Sequence, residues 1–103
     1  MSEPTSQDVA GGLPLHGQHA VVTGASRGIG AAIAATLARL GADVTLMARS
    51  EAVLADQVTR LSGANPGRAQ AVPIDVTDEA RVVTAFAKAV DAFGPVQILV
   101  NNA

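Results

Sequence analysis

The stretch Thr23-Gly24-Ala25-Ser26-Arg27-Gly28-Ile29-Gly30 holds the residue types and spacing from which chemistry can be read first. Its three glycines have separate uses where a strand hands over to a helix. Gly24 allows a sharp turn off the strand. Gly28 removes a Cβ where backbone must approach a phosphate, and Gly30 lets the new helix pack closely. The N–H groups of that helix's first turn have no partner within the helix, and the helix dipole adds positive potential there. Together they make an anion site suited to a pyrophosphate. A glycine-rich turn without a ligand is the alternative reading. The strand expected before the loop and the helix expected after it weigh against that alternative.

Two arginines bear on which dinucleotide would bind. Folds of this kind that prefer NAD place an acid about 20 residues after the glycine loop, at the end of the second strand, to hold the ribose 2′-OH. That position is Ala48 here, and Asp43 stands at the wrong end of the same strand. Arg49 follows Ala48 directly, and Arg27 lies inside the loop. A guanidinium offers forked donors and a permanent charge to a 2′-phosphate. Each arginine alone reads equally as a solvated surface charge. Both together, with no acid at Ala48, predict NADP(H) as the cofactor.

The elements that must position these residues follow from hydrophobic period. His19–Thr23 is a short apolar run, read as a buried strand. Gly28–Leu40 carries Ile29, Ile33, Leu37 and Leu40 at helical spacing, and Gly41 stands just past its end as a left-handed cap. Val44–Met47 reads as a second strand. Ser50 can cap a helix striped with Leu54, Val58 and Leu61 that ends near Gly63. After the turn Asn65-Pro66-Gly67 come a strand over Gln70–Ile74 and a helix capped by Thr77. That helix presents Val82, Val83, Phe86, Val90 and Phe93 and stops at Gly94-Pro95. A fourth strand spans Gln97–Val100. Met1 to about Leu13 reads as a flexible tail, which leaves residues 14–103 as the folded part.

The order β-α-β-α-β-α-β with near-continuous apolar strands predicts an α/β chain, one half of a Rossmann-type doubly wound parallel sheet. In the strand order 3-2-1-4, right-handed crossovers put the first two helices on one face and the third on the other. One helix cannot cover a four-stranded sheet, so that face is expected to be short of cover and strand four to be an open edge.

The glycine spacing is T-G-x-x-x-G-x-G, which resembles the classical short-chain dehydrogenase/reductase family. Asp75-Val76 after the third strand agrees with that family's adenine contact. Asn101-Asn102-Ala103 after the fourth matches the start of its NNAG motif. The resemblance covers about residues 15–103. It implies that Thr23, Gly24, Ser26, Arg27, Gly28, Ile29, Gly30, Arg49, Asp75, Val76, Asn101 and Ala103 bind the nicotinamide dinucleotide. It places Asn101 and Ala103 below the adenosine ribose and the nicotinamide. Asp75 reads alternatively as a structural cap beside Thr77, and Asn101 as a strand-end residue bonded to neighbouring backbone.

The family's Ser, YxxxK pair and helix-borne Asn all lie beyond its NNAG motif. This chain has 103 residues and no Tyr, and its one lysine, Lys88, sits in the third helix. The family's Tyr moves the proton at the carbonyl or alcohol oxygen, and its Lys lowers that Tyr's pKa and holds the nicotinamide ribose. The chain is therefore expected to be inert by itself and to be the cofactor half of a larger reductase. The parent enzyme would be a homo-oligomer acting on a ketone or secondary alcohol, 3-oxoacyl thioesters among them. A stand-alone dinucleotide-binding module and a non-functional piece of the fold are the competing readings.

Composition removes other classes. Without Cys there is no disulfide framework, thiol nucleophile or cysteine metal site. A net charge of −2 and only two aromatic residues, Phe86 and Phe93, speak against nucleic acid as a partner. No histidine or acidic cluster has metal spacing. His16 and His19 lie at the end of the sheet away from a ligand and read as structural. The longest apolar run, Ala31–Ala35, is far short of the roughly 20 residues a membrane span requires. The polar N-terminus is no secretory signal, so a cytoplasmic location is expected.

Overall fold

The computed structural model describes residues 12–102. Strands β1 (His19–Thr23), β2 (Asp43–Ala48), β3 (Ala69–Pro73) and β4 (Ile98–Val100) form one parallel sheet in the order β3-β2-β1-β4. Helices α1 (Gly28–Arg39), α2 (Glu51–Ala64) and α3 (Glu79–Phe93) make the crossovers. This is the expected half of a doubly wound sheet.

The strands form where apolar residues run without interruption, because both of their faces are covered. Every residue of β1 is buried, as is β2 from Val44 onward. Ala20 and Val22 join Val44, Leu46, Ala34, Ala38 and Leu54 in the core below α1 and α2. Val21 joins Met47, Val72, Ala85 and Ala89 in a second, smaller core below α3. Leu99 pairs with Val21 and so shares that second face, yet it is 57% exposed. The lone helix leaves the β4 side of the sheet without cover.

Several boundaries shift by a residue from the sequence reading. Strand β3 starts at Ala69 and β4 at Ile98, while α2 runs on to Ala64. The larger correction concerns the cap of α3, which is Asp78 and not Thr77. The Asp78 carboxylate accepts from Arg81 N at 3.3 Å. Thr77 is committed elsewhere: its N–H and its hydroxyl both donate to Asp75 Oδ1, at 3.0 and 2.7 Å. A carboxylate is the stronger acceptor, so the hydroxyl serves it as donor and leaves the helix end to the next residue. Ser50 caps α2 as expected, accepting from Val53 N. The tail up to Gly11 lies outside the described residues. Gly12 to Gly17 form turns, and Leu15 N donates to Leu40 O at 2.8 Å.

His19 is buried at the amino ends of the strands and His16 sits in an exposed turn, both on the side away from the glycine loop. The His19 Nδ1 lies 2.8 Å from Gly94 O, and Nε2 lies 2.7 Å from Thr45 Oγ1. Gly94 O can only accept, so Nδ1 carries the hydrogen, and in the neutral imidazole Nε2 then accepts from the Thr45 hydroxyl. Gln70 Nε2 donates to that hydroxyl oxygen at 2.8 Å, and Phe93 meets the imidazole edge-on at 5.5 Å. Both imidazole nitrogens and the Thr45 hydroxyl are engaged, which makes the cluster a joint between β1, β2 and the end of α3. Replacing His19 with leucine leaves the Gly94 carbonyl without the imidazole donor and the Thr45 hydroxyl with only its bond from Gln70. The expected loss is about 2–4 kcal/mol of unfolding free energy, read from urea denaturation. An unshifted urea midpoint would refute the structural assignment.

Among the described residues, no three His, Cys, Asp or Glu side chains cluster as a metal site would require, and no helix is long and apolar enough to cross a membrane.

Candidate functional site

Parallel register brings the carboxyl ends of three strands level with one another. Thr23 pairs with Met47, and Ala48 pairs with Pro73. The segments that leave these strands border one cleft of about 580 Å³. Gly24, Ser26 and Arg27 come from the loop after β1, Arg49 and Ser50 from the link between β2 and α2, and Asp75, Val76 and Thr77 from beyond β3. Ala48 and Ile74 complete its lining with apolar surface. Arg27 and Arg49 thus both line the same cleft, and both are exposed.

Asp75 is the one acidic residue on this lining. The backbone and side-chain bonds from Thr77 hold its carboxyl below the ordinary carboxylate range, and the nearby charges of Arg49 and Arg81 act in the same direction. Asp75 therefore does act as a turn-former beside Thr77. Those bonds use Oδ1.

The start of α1 differs from the starts of the other two helices. Its N-cap, Arg27, has extended backbone and no side-chain capping bond, and its first turn holds no acid. Helices α2 and α3 each begin with a capping side chain and a glutamate in the first turn. The N–H groups and dipole of α1 are consequently offered without a side-chain counter-charge.

The glycines of the loop divide the work differently from the sequence expectation. Gly30 is buried, and a Cβ placed on it would lie 2.1 Å from Gly24 O and 2.7 Å from Asn102 Nδ2. Its neighbours are the loop backbone and an asparagine at the end of β4, rather than the sheet face. Gly28 has φ +63°, and a Cβ there would meet nothing within 4 Å. The space in front of it is open, and its left-handed backbone is what demands glycine.

Thr23 is 6% exposed and does not line the cleft. Its single hydroxyl hydrogen is shared between Val100 O at 3.3 Å and Asn101 Oδ1 at 3.2 Å, and its oxygen accepts from Asn102 N at 3.0 Å. Asn102 Nδ2 also donates to Gly24 O at 3.4 Å. The end of β4 and the glycine loop are thereby one hydrogen-bonded assembly. Asn101 joins it as a strand-end residue with its side chain on Thr23. The Ile29 side chain, 71% exposed, lies outside the cleft, so only its backbone stands in the loop. Ala103 lies outside the described residues.

Two contributors escape the sequence reading. Asn102 is one: it stands inside the Asn101-Asn102-Ala103 motif, but its contact with Gly24 forms only across the ends of β1 and β4. Gln57 is the other. It is 9% exposed, and its Nε2 donates to Ser26 O at 2.8 Å. A signal for it existed: it follows Leu54 by three residues and precedes Leu61 by four, which puts a polar side chain on the apolar face of α2.

Residues 18–103 match the family model described as short chain dehydrogenase. The chain belongs to the short-chain dehydrogenase family. An L-rhamnose 1-dehydrogenase (NADP(+)) of Thermoplasma acidophilum is 40% identical over 91 residues, which are 88% of this chain and 36% of that protein. The ketoacyl reductase HetN of a Nostoc species is 38% identical over 89 residues, covering 86% of this chain and 31% of that one. An L-sorbose reductase from Gluconobacter frateurii, solved with NADPH and L-sorbose, superposes with a TM-score of 0.83 at 36% identity. That match covers 88% of this chain and 35% of the reductase. The chain thus spans about a third of the length of these short-chain dehydrogenase relatives.

Proposed function

We propose that residues 14–103 are the NADP(H)-binding half of a short-chain oxidoreductase, with the cleft beyond β1, β2 and β3 as the cofactor site. One observation carries the reading. Arg27 and Arg49 face the same cleft, beside a helix start that has neither cap nor acid, and Ala48 stands where an NAD-preferring site would hold a carboxylate. In this arrangement the N–H groups from Ser26 to Gly30 receive the pyrophosphate. Ile29 takes part through its backbone, and the opening at Gly28 admits a phosphate oxygen. Arg27 and Arg49 bracket the 2′-phosphate with forked, charge-assisted donors. Asp75 accepts from the adenine amino group, and Val76 walls the base. Thr23, Gly24 and Gly30 hold the loop in register. Asn101 and Ala103 lie on the ribose and nicotinamide side. The names of the rhamnose and sorbose relatives, with NADP(+) in one and NADPH in the other, support this choice of cofactor.

The cofactor supplies a hydride at the nicotinamide C4, and the whole enzyme would exchange it with a ketone or secondary alcohol. A 3-oxoacyl thioester is one such carbonyl, supported by the ketoacyl reductase relative. Sugar substrates are supported by the other two. The family resemblance extends the reading to a homo-oligomeric enzyme. Carbonyl reduction needs a proton donor at the oxygen, and this chain holds no Tyr, while Lys88 lies on α3. The 103-residue chain is expected to bind NADPH at least tenfold more tightly than NADH in a fluorescence titration, and to reduce no carbonyl. Equal affinity for the two cofactors, or turnover by the chain alone, would overturn this.

A further inference from the structure

We infer that Gln57 is a positioning residue for the cofactor loop, a strut from α2 that sets the Ser26–Arg27 peptide and thereby sharpens the choice of NADPH over NADH. The inference rests on the cofactor reading above and adds a residue that touches neither the cofactor nor the cleft. Gln57 sits behind the cleft, on the floor of the groove between α1 and α2. Its Nε2 donates to Ser26 O at 2.8 Å, across 31 residues of sequence. Its Oε1 is buried and has no hydrogen-bond partner among the described residues. A side-chain flip would not help, since it would turn an oxygen toward the Ser26 carbonyl.

An unpaired buried acceptor costs stability. An apolar side chain of the same length would fill this place without that cost. What the amide supplies instead is one directed bond to the loop. In a planar trans peptide the C=O and the following N–H point in opposite directions. Fixing the Ser26 carbonyl toward Gln57 therefore fixes the Arg27 N–H on the side away from Gln57. It also fixes where Arg27 leaves the loop. The strut belongs to the helix that Ser50 caps, and Arg49 directly precedes that cap. The two arginines are thus held to one another through α2 rather than only through the sheet. A loop anchored at its carbonyl backs arrives with its N–H groups already aimed, so less ordering is left for binding.

The test uses the 103-residue chain and Gln57→Met, with Gln57→Glu as a second variant of the same shape that cannot donate when ionised. Thermal unfolding, backbone order parameters of Ser26 and Arg27 from 15N relaxation, and dissociation constants for NADPH and NADH are compared. Gln57→Met is expected to melt close to the parent chain, because removing the orphaned oxygen offsets the bond lost at Ser26 O. It is expected to show lower order parameters at Ser26 and Arg27 and to bind NADPH at least fivefold more weakly, with a smaller change for NADH. Gln57→Glu is expected to loosen the same two residues. Unchanged order parameters in both variants would overturn the strut even if the parent chain binds NADPH. A loosened loop with the NADPH constant unmoved would overturn its role in cofactor choice. An affinity loss that only tracks a fall in melting temperature would reduce Gln57 to a packing residue. A parent chain that binds neither cofactor is a different failure: it refutes the proposed function, while the order parameters still decide the strut.

Discussion

Replacing Gly30 with alanine is expected to displace the glycine loop and abolish measurable NADPH binding. The added Cβ would lie 2.1 Å from Gly24 O and 2.9 Å from Gly24 C, which are backbone atoms and not the movable end of a side chain. That backbone is held from both sides. Ala25 N donates to Met47 O at 3.2 Å, and Asn102 Nδ2 donates to Gly24 O. Relief must come from moving α1 away from the loop, which also opens the Thr23–Asn102 assembly. Overpacking of a tight site costs typically 1–3 kcal/mol, and a forced backbone shift stands at or above the top of that range. We expect about 3 kcal/mol of lost stability and a loss of NADPH affinity of at least ~100-fold. Gly28→Ala is the matched control, because nothing lies within 4 Å of its Cβ. It should cost only the left-handed strain, about 1–2 kcal/mol, and leave the fold in place. Thermal unfolding and an NADPH titration on both variants read the contrast. A Gly30→Ala chain that melts and binds like the parent would show that the loop is not built as described.

Removing both arginines, as Arg27→Ala with Arg49→Ala, is expected to erase the preference for NADPH without abolishing nucleotide binding. The two side chains are exposed, so each contact to a 2′-phosphate counts at the low end of the ~1.5–3 kcal/mol of a charge-assisted bond. Two such contacts give about 3 kcal/mol, or roughly 100-fold in affinity for NADPH. NADH has no 2′-phosphate and should change by no more than a few-fold. Adding Ala48→Asp to the pair should then favour NADH, since a carboxylate at the end of β2 accepts from a ribose 2′-OH and repels a phosphate. The parent preference should also weaken with added salt, as exposed charges are screened. Equal losses for both cofactors would place the arginines elsewhere than on the 2′-phosphate.

Much of this molecule was readable from local pattern. The apolar runs at His19–Thr23 and Val44–Met47 read as strands, the alternation with helices made them parallel and covered, and the structure buries both. Given the strand order β3-β2-β1-β4, the unequal cover of the two faces followed from crossover handedness, and Leu99 shows the outcome. The glycine loop could be placed from its spacing and its position between two periods. Capping was less secure. Thr77 and Asp78 are both good N-cap residues, and the decision fell to Asp75, whose carboxylate engaged Thr77 first. The tie between Asn102 and Gly24 had no local signal, because it joins residues 78 positions apart.

By itself the sequence determined the alternation of strands and helices, the glycine loop with Arg27, the Arg49 that follows β2, and the absence of a tyrosine. Those depend on residue type and on periods of two and 3.6, which are properties of neighbouring residues. The tertiary structure alone decided that Arg27 and Arg49 face one cleft, that the glycine at 30 is demanded by Gly24 and Asn102, and that Gln57 reaches the loop. Each of these depends on register between strands or on the seating of a helix, and so on contacts between residues far apart in the chain. The amide of Gln57 shows the difference well: its spacing marks it as a polar residue on an apolar face, but only the folded chain shows which carbonyl it holds.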